Sequence, residues 1–339
     1  MMNFPAPARS SFGVVRHEDT VYIAGGHVGG AHNYSRDRFS SDCHALDLSS
    51  KTWRPIRCYG QSGDASTAQV VQGVRLLEYG GKIYGFGGFS YEPALDFNNP
   101  KDPWHWYART RTEIYRYDPK ADEWLLLGHL PRPRSSYVAG RIGDCAYLIG
   151  GWDGTPQQEV GEYGEFGRLY SPIEVFDFKN EKIVSSSFTL EGPMRRAFTS
   201  AVAGGSEILV AGGLGQATFG APEAHKFNWV QAFSPTTSPS WKYLLPLPVN
   251  LFSPGLCVVD GTIVVAGGSL SNRKLNEKVF LLRPGATGWT TNSKQPSSTG
   301  TFIELIPITD REILVLGGHS GGQPEDSIPL GLCEVLSID

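Results

Sequence analysis

The chain has 339 residues, 41 of them Gly and 23 Pro, with 12% aromatic and 19% charged residues and a formal net charge of -4. That profile suits many short strands joined by tight turns and leaves little room for long amphipathic helices. The acidic balance gives no overall basic field, and no apolar run reaches membrane-spanning length, so neither nucleic acid nor membrane is expected as a partner.

At the start, Met1 to Pro5 has neither the basic nor the apolar segment of a secretory leader. The five cysteines, Cys43, Cys58, Cys145, Cys257 and Cys333, are dispersed in or near strand signals without a Cys-x-x-Cys pair. They read as small buried hydrophobes in a reducing compartment. The expectation is a cytoplasmic monomer, with secretion after loss of a leader as the alternative.

In chain order, Ser10 to Val15 reads as a first strand, a, and Val21 to Ala24 as a second, b, ending on the pair Gly25-Gly26. A strand c follows, and Trp53 opens a strand d. This order recurs. Glycine pairs stand at Gly87-Gly88, Gly150-Gly151, Gly212-Gly213, Gly267-Gly268 and Gly317-Gly318, and the first glycines are spaced by 62, 63, 62, 55 and 50 residues. Strand c carries an aromatic and often Asp-Pro, as in Ile114 to Pro119, Ile173 to Phe178 and Val279 to Pro284. Trp124, Trp241 and Trp289 open strand d in the second, fourth and fifth copies; Ile183 substitutes in the third, and nothing corresponds in the sixth. One four-stranded sheet cannot bury both faces by itself, whereas a ring of twisted sheets packs each face on the next.

Glycine pair, aromatic strand and tryptophan at a stereotyped interval resemble the kelch repeat over essentially the whole chain. The resemblance implies an all-β fold, a six-bladed kelch β-propeller of four-stranded antiparallel blades forming one domain over 1–339. Its blades are placed at about 10–57, 66–128, 134–190, 195–247, 252–293, and 299–339 plus 1–6. The sixth copy runs through a strand c, Leu332 to Ile338, without a strand d. Because Phe4 to Phe12 parallels Leu130 to Tyr137, residues near Met2 to Phe4 are expected to pair beside that strand and close the ring.

The resemblance also makes the face bearing the b-to-c and d-to-a loops the binding surface. Long b-to-c loops carry Trp104, Trp106, Tyr107, Arg109 and Arg111 in blade 2, and Trp152, Glu159, Glu162, Tyr163, Glu165, Arg168 and Tyr170 in blade 3. Loops of this length are usually functional; packing of the tryptophans within their own loop is the competing reading. Arg9, Arg134 and Arg195 align in the d-to-a loops of blades 1, 3 and 4. Such arginines either grip a carboxylate or phosphate, as some kelch domains hold an acidic peptide, or bond neighbouring loop carbonyls and acids.

His27 and His319 follow the glycine pairs of blades 1 and 6, near His32, Asp37, Glu325 and Asp326. Equivalent points of neighbouring blades lie on the order of 10 Å apart, so shared coordination at about 2 Å requires both rings to aim at one point. No metal and no cofactor are expected. Nucleophile-elbow and phosphate-loop motifs are missing. Bacterial sialic acid epimerases resemble the chain in general repeat architecture, and the acids between Glu159 and Glu165 beside Arg168 suit either acid–base work or a solvated loop. The sequence therefore reads as a binding module for a protein or peptide segment, acidic in character, or an anionic ligand. The alternative is an enzyme of epimerase or lyase type acting on a carbohydrate over the central funnel.

Overall fold

Alternation within a single strand accounts for the architecture seen in the computed structural model. The structure describes residues 2–30, 36–90, 109–151, 172–191, 194–196, 201–215, 227–236, 239–270, 274–321 and 327–339. In Thr20–Ala24, Val21 and Ile23 enter a core with Phe12, Leu46, Leu314 and Leu316. Tyr22 and Ala24 enter a different core, with Val71, Leu76, Ile83 and Tyr117. Successive residues of a strand face opposite sides of its sheet, so a strand apolar at nearly every position belongs to a sheet covered on both faces.

The same division repeats around the chain. Tyr84 and Phe86 pack with Tyr137, Leu148 and Phe176; Tyr147 and Ile149 with Ile208, Val210 and Phe233; Leu209 and Ala211 with Leu256, Val265 and Phe280. Val264 and Ala266 meet Ile303, Ile313 and Val315, and Leu314 and Leu316 return to blade 1. Six sheets therefore share six interfaces and close a circle. Each fully buried Leu, Ile or Phe contributes roughly 1.5–3 kcal/mol, and every interface holds several.

Each blade is an antiparallel sheet running in chain order from the axis outward. Blade 1 comprises Gly13–His17, Thr20–Ala24, Cys43–Asp47 and Thr52–Ile56, and blade 2 Arg75–Tyr79, Lys82–Phe86, Glu113–Asp118 and Glu123–His129. Blade 3 comprises Val138–Ile142, Cys145–Ile149, Glu174–Asp177 and Lys182–Val184; blade 4 Ala201–Gly204, Glu207–Ala211, Val230–Ser234 and Ser240–Tyr243. Blade 5 is Gly255–Val259, Thr262–Ala266, Phe280–Leu282 and Thr290–Thr291. Blade 6 has three strands among the described residues, Thr301–Pro307, Glu312–His319 and Cys333–Ser337. No helix among the described residues is long and apolar enough to cross a membrane.

The glycine pair is the joint between blades. Gly25 and Gly26 both have positive φ, 65° and 120°, which favours glycine. The turn lets Gly26 N–H donate to the Val71 carbonyl of blade 2 at 2.7 Å, and a Cβ on Gly25 would stand 2.3 Å from that oxygen. The same bond recurs from Gly88 to Arg134, from Gly213 to Leu251 and from Gly268 to Gly300, at 2.9–3.0 Å. The outer tryptophans make a second joint, each donating Nε1 to a carbonyl just past the outer strand of the preceding blade. Trp124 donates to Arg57 at 3.0 Å, Trp241 to Thr189 at 2.8 Å and Trp289 to Leu245 at 3.1 Å.

Ring closure departs from expectation in its means. Among the described residues no N-terminal strand pairs with Cys333–Ser337; just after Phe4, Pro5 and Pro7 have no N–H with which to extend a ladder. Met2 and Phe4 instead pack on the core shared by blades 6 and 1, with Phe4 5.5 Å from Phe12 and 6.0 Å from Trp53. Among the described residues blade 6 has no fourth strand and no carbonyl receives the buried Nε1 of Trp53, which has the weakly accepting thiol of Cys333 beside it. Arg16 adds a polar link, donating through Nη1 to the Pro307 and Ile308 carbonyls at 2.7 and 3.0 Å.

Candidate functional site

Arg9 and Arg134 occupy equivalent sockets, and both side chains are fully buried. Arg9 Nη1 donates to Ser40 Oγ at 3.0 Å, to the Asp42 carbonyl at 3.3 Å and to the Gly25 carbonyl at 3.5 Å. Its Nη2 donates to His44 Nδ1 at 3.1 Å, and the Asp42 carboxylate lies 3.8 Å away. Burial draws the Arg9 pKa down from its ordinary value. His44 is pushed down to about 4, first by burial and then by the Arg9 guanidinium, so it remains a neutral acceptor.

Arg134 repeats the pattern in blade 3. It donates to the carbonyls of Gly150, Leu148 and Pro172, the last two at 3.3 and 3.2 Å, while its Nε lies 3.3 Å from Glu174 Oε2. Glu174 occupies the register of His44: each lies opposite the residue two before its glycine pair. Of the two arrangements the sequence allows, the structure has the one in which these guanidiniums bond within their own blades. Arg195 lies in Met194–Arg196, which pairs with Leu214–Gly215. Arg109 lies in Arg109–Thr110, which pairs with Phe89–Ser90.

The remaining expected positions divide between buried contacts and segments not described. His27 is 4% exposed, bridges Ser10 and Phe39 by backbone, and sets its ring edge-on to Phe39. His319 is 5% exposed and donates Nε2–H to the Gly29 carbonyl of blade 1 at 3.1 Å. Among the described residues, no three His, Cys, Asp or Glu side chains gather where they could hold a metal ion. Arg111 makes a two-point contact with Glu113, at 3.0 and 2.6 Å, and reaches Gln69 Oε1 at 2.8 Å. Trp104, Trp106, Tyr107, Trp152, Glu162, Tyr163 and Arg168 lie outside the described residues.

The axis itself holds a pair that the sequence reading missed. Arg75 and Glu304 sit on the inner strands of blades 2 and 6 at one level, each opposite the residue just before a glycine pair. At that level the other described blades carry Gly13, Val138 and Gly255. Gly13, in the blade between them, has no side chain to part them. Arg75 Nη1 donates to Glu304 Oε1 at 3.4 Å, and its Nε donates to the Tyr137 carbonyl of blade 3 at 2.8 Å. Both side chains are mostly buried, 19% and 11% exposed, and no hydrogen bond of Arg75 Nη2 is seen among the described residues. Two charges in positions otherwise held by Gly and Val are the sequence signal that could have found the pair.

Residues 8–58 match the family model described as the Kelch motif. The chain is 23% identical over 283 residues to Kelch-like protein 35 of Mus musculus, covering 84% of this chain and 39% of that protein. Kelch-like protein 15 of Homo sapiens is 20% identical over 225 residues, 52% of this chain and 37% of that one. Kelch-like protein terF of Aspergillus terreus is 27% identical over 161 residues, 48% and 32% respectively. The chain thus spans under two fifths of the length of these relatives. A solved structure titled "Structure of YjhT" superposes with a TM-score of 0.71 at 14% identity, over 98% of this chain and 99% of that one, a likeness of fold alone.

Proposed function

The chain is a kelch-repeat β-propeller, and from that premise we propose that it is a protein-interaction module whose loop face receives an acidic segment of a partner at the axis. The observation behind this reading is Arg75. Its guanidinium stands where the inner strands begin, on the loop side, oriented by the Tyr137 carbonyl and only singly engaged by Glu304. A carboxylate entering the funnel can take the remaining N–H groups in a fork geometry that a lysine does not offer. The Kelch-like names of its relatives support a protein partner in general terms.

Binding of an array of acidic peptides, read by fluorescence anisotropy, tests the proposal. The Arg75→Ala variant should abolish binding, and Glu304→Gln should strengthen it by removing the internal competitor. Arg134→Ala is a poor probe, because that side chain is inside the fold.

A second reading has one observation in its favour. A carboxylate facing an arginine across a funnel is also an acid–base arrangement, and Glu304 with Arg75 supplies one for carbohydrate chemistry. Exchange of sugar protons with solvent deuterium, catalysed by the unsubstituted chain and lost in Glu304→Gln, would favour it. Peptide binding lost only in Arg75→Ala, with no exchange, favours the interaction module.

A further inference from the structure

The chain turns through a left-handed residue each time it enters an inner strand. Continuing the strand registers sets Ser11, Gly73, Ser136, Ser253 and Phe302, of blades 1, 2, 3, 5 and 6, opposite the second glycine of each pair. Their φ angles are 54°, 64°, 52°, 50° and 56°. The backbone links neighbouring blades through this position: Gly73 N–H donates to the Ser11 carbonyl at 2.5 Å and Phe302 N–H to the Ser253 carbonyl at 3.0 Å. Bonds from blade to blade on the strands nearest the axis make these residues the rim of the funnel on its loop side. Space is open there, since a Cβ on Gly73 would meet only Ser135 Oγ, 3.6 Å away.

Four of the rim residues are Ser or Gly, and Phe302 is not. The other non-glycine residues with positive φ among those described are Ser, Glu, Lys and Asp, so Phe302 is the one apolar member. A bulky side chain in this region is strained, and strained residues cluster at ligand sites. The turn itself does not require an aromatic, because Ser holds the same place in three blades and Gly in a fourth. Phe302 is half-buried, and its ring meets that of half-buried Phe252 edge-on at 5.8 Å. Two residues on, about 6.5 Å along the strand, Glu304 accepts from Arg75. In blade 2 the rim residue two places before Arg75 is Gly73, which puts no side chain over the guanidinium.

We propose that the funnel mouth is a two-part site, in which a carboxylate passes Gly73 to reach Arg75 while an aromatic side chain of the same segment lies against Phe302 and Phe252. The inference rests on the acidic-segment reading given above and narrows the partner to a segment whose acidic residue is flanked by Trp, Tyr or Phe. An acidic residue alone engages Arg75 and leaves the strained ring without a task. An edge-on ring pair offers a third aromatic both an edge and a face, at the centroid spacing of roughly 4.5–7 Å that such rings prefer.

Two labelled peptides that differ only in carrying Glu-Trp or Glu-Ala test the inference by fluorescence anisotropy on the full chain. The Glu-Trp peptide should bind at least about tenfold more tightly. Phe302→Ser installs the residue that blades 1, 3 and 5 carry at this place, so the chain should keep its cooperative melting transition. The same substitution should bring the Glu-Trp peptide down to the affinity of the Glu-Ala one, while Phe302→Tyr should retain the preference. Equal affinities for the two peptides, or a preference that survives Phe302→Ser, overturn this inference; if Arg75→Ala then still abolishes binding, the acidic-segment reading stands without it. Binding of neither peptide, or binding indifferent to Arg75→Ala, overturns both.

Discussion

The joint between blades 2 and 3 and the joint between blades 6 and 1 bury comparable cores yet are locked in different ways. At the first, carboxylates do the locking: Tyr79 donates to Asp144 at 3.0 Å, Tyr84 to Glu181 at 3.1 Å, and Arg116 pairs with Glu181, while Tyr79 stacks on Phe178 at 4.8 Å. At the second, Arg16 and His319 donate to backbone carbonyls, and Met2 and Phe4 seal the rim. A joint made by continuous chain can afford specific acids; a joint made between distant parts of the chain relies on carbonyls present whatever the side chains. The two arginine sockets follow the same division, since Arg134 opposes the buried carboxylate of Glu174 and Arg9 a neutral histidine.

The sharpest test of that contrast is a pair of truncations. Arg134→Ala leaves the Glu174 carboxylate buried without its cation and should cost about 3–5 kcal/mol in urea unfolding. Arg9→Ala leaves His44, neutral carbonyls and a half-exposed Asp42, and should cost about 2 kcal/mol. Equal losses would mean that the sockets do not differ in kind. Next in size, Trp124→Phe removes the bond to the Arg57 carbonyl and should cost about 1 kcal/mol, whereas Trp53→Phe has no such bond to lose and should change the melting point little. A matching loss at Trp53 would show that a carbonyl reaches it in solution.

The smallest effect is a slope with pH. His44 in the folded chain takes up a proton only near pH 4, while in the unfolded chain it does so near 6.5. As pH falls between those values the unfolded state binds a proton that the folded state refuses, so stability falls with it. His44→Gln should flatten this part of the curve; a curve unchanged by the substitution would remove His44 from the account.

How much could be read from the chain depends on how local each cause is. The glycine pairs announced six units because the joint at Gly25 and Gly26 needs a backbone that other residues resist and a gap that a Cβ would fill. The positions of Trp124, Trp241 and Trp289 were legible for a similar reason, as each meets a carbonyl of the preceding blade. Alignment found Arg9 and Arg134 but not the burial of their guanidiniums, because the accepting carbonyls come from the same blade's own turns, at Gly25, Asp42, Gly150 and Pro172. The parallel between Phe4 and Leu130 located the closing segment correctly, while the ladder expected there is replaced by packing of Met2 and Phe4 on the core shared by blades 6 and 1. Arg75 and Glu304 escaped notice because 229 residues separate them, and only the ring brings their levels together.

One consequence of the alternating strands reaches beyond this molecule to its descendants. Val21 and Ile23 answer to Leu314 and Leu316, whereas Tyr22 and Ala24, their immediate neighbours, answer to Ile83 and Tyr117. Adjacent codons are thus under unrelated constraints, and codons nearly 300 positions apart are tied to one another. Compensating changes in a lineage of such chains should therefore skip along a strand in twos, and the strongest long-distance couplings should link the two extremes of the reading frame.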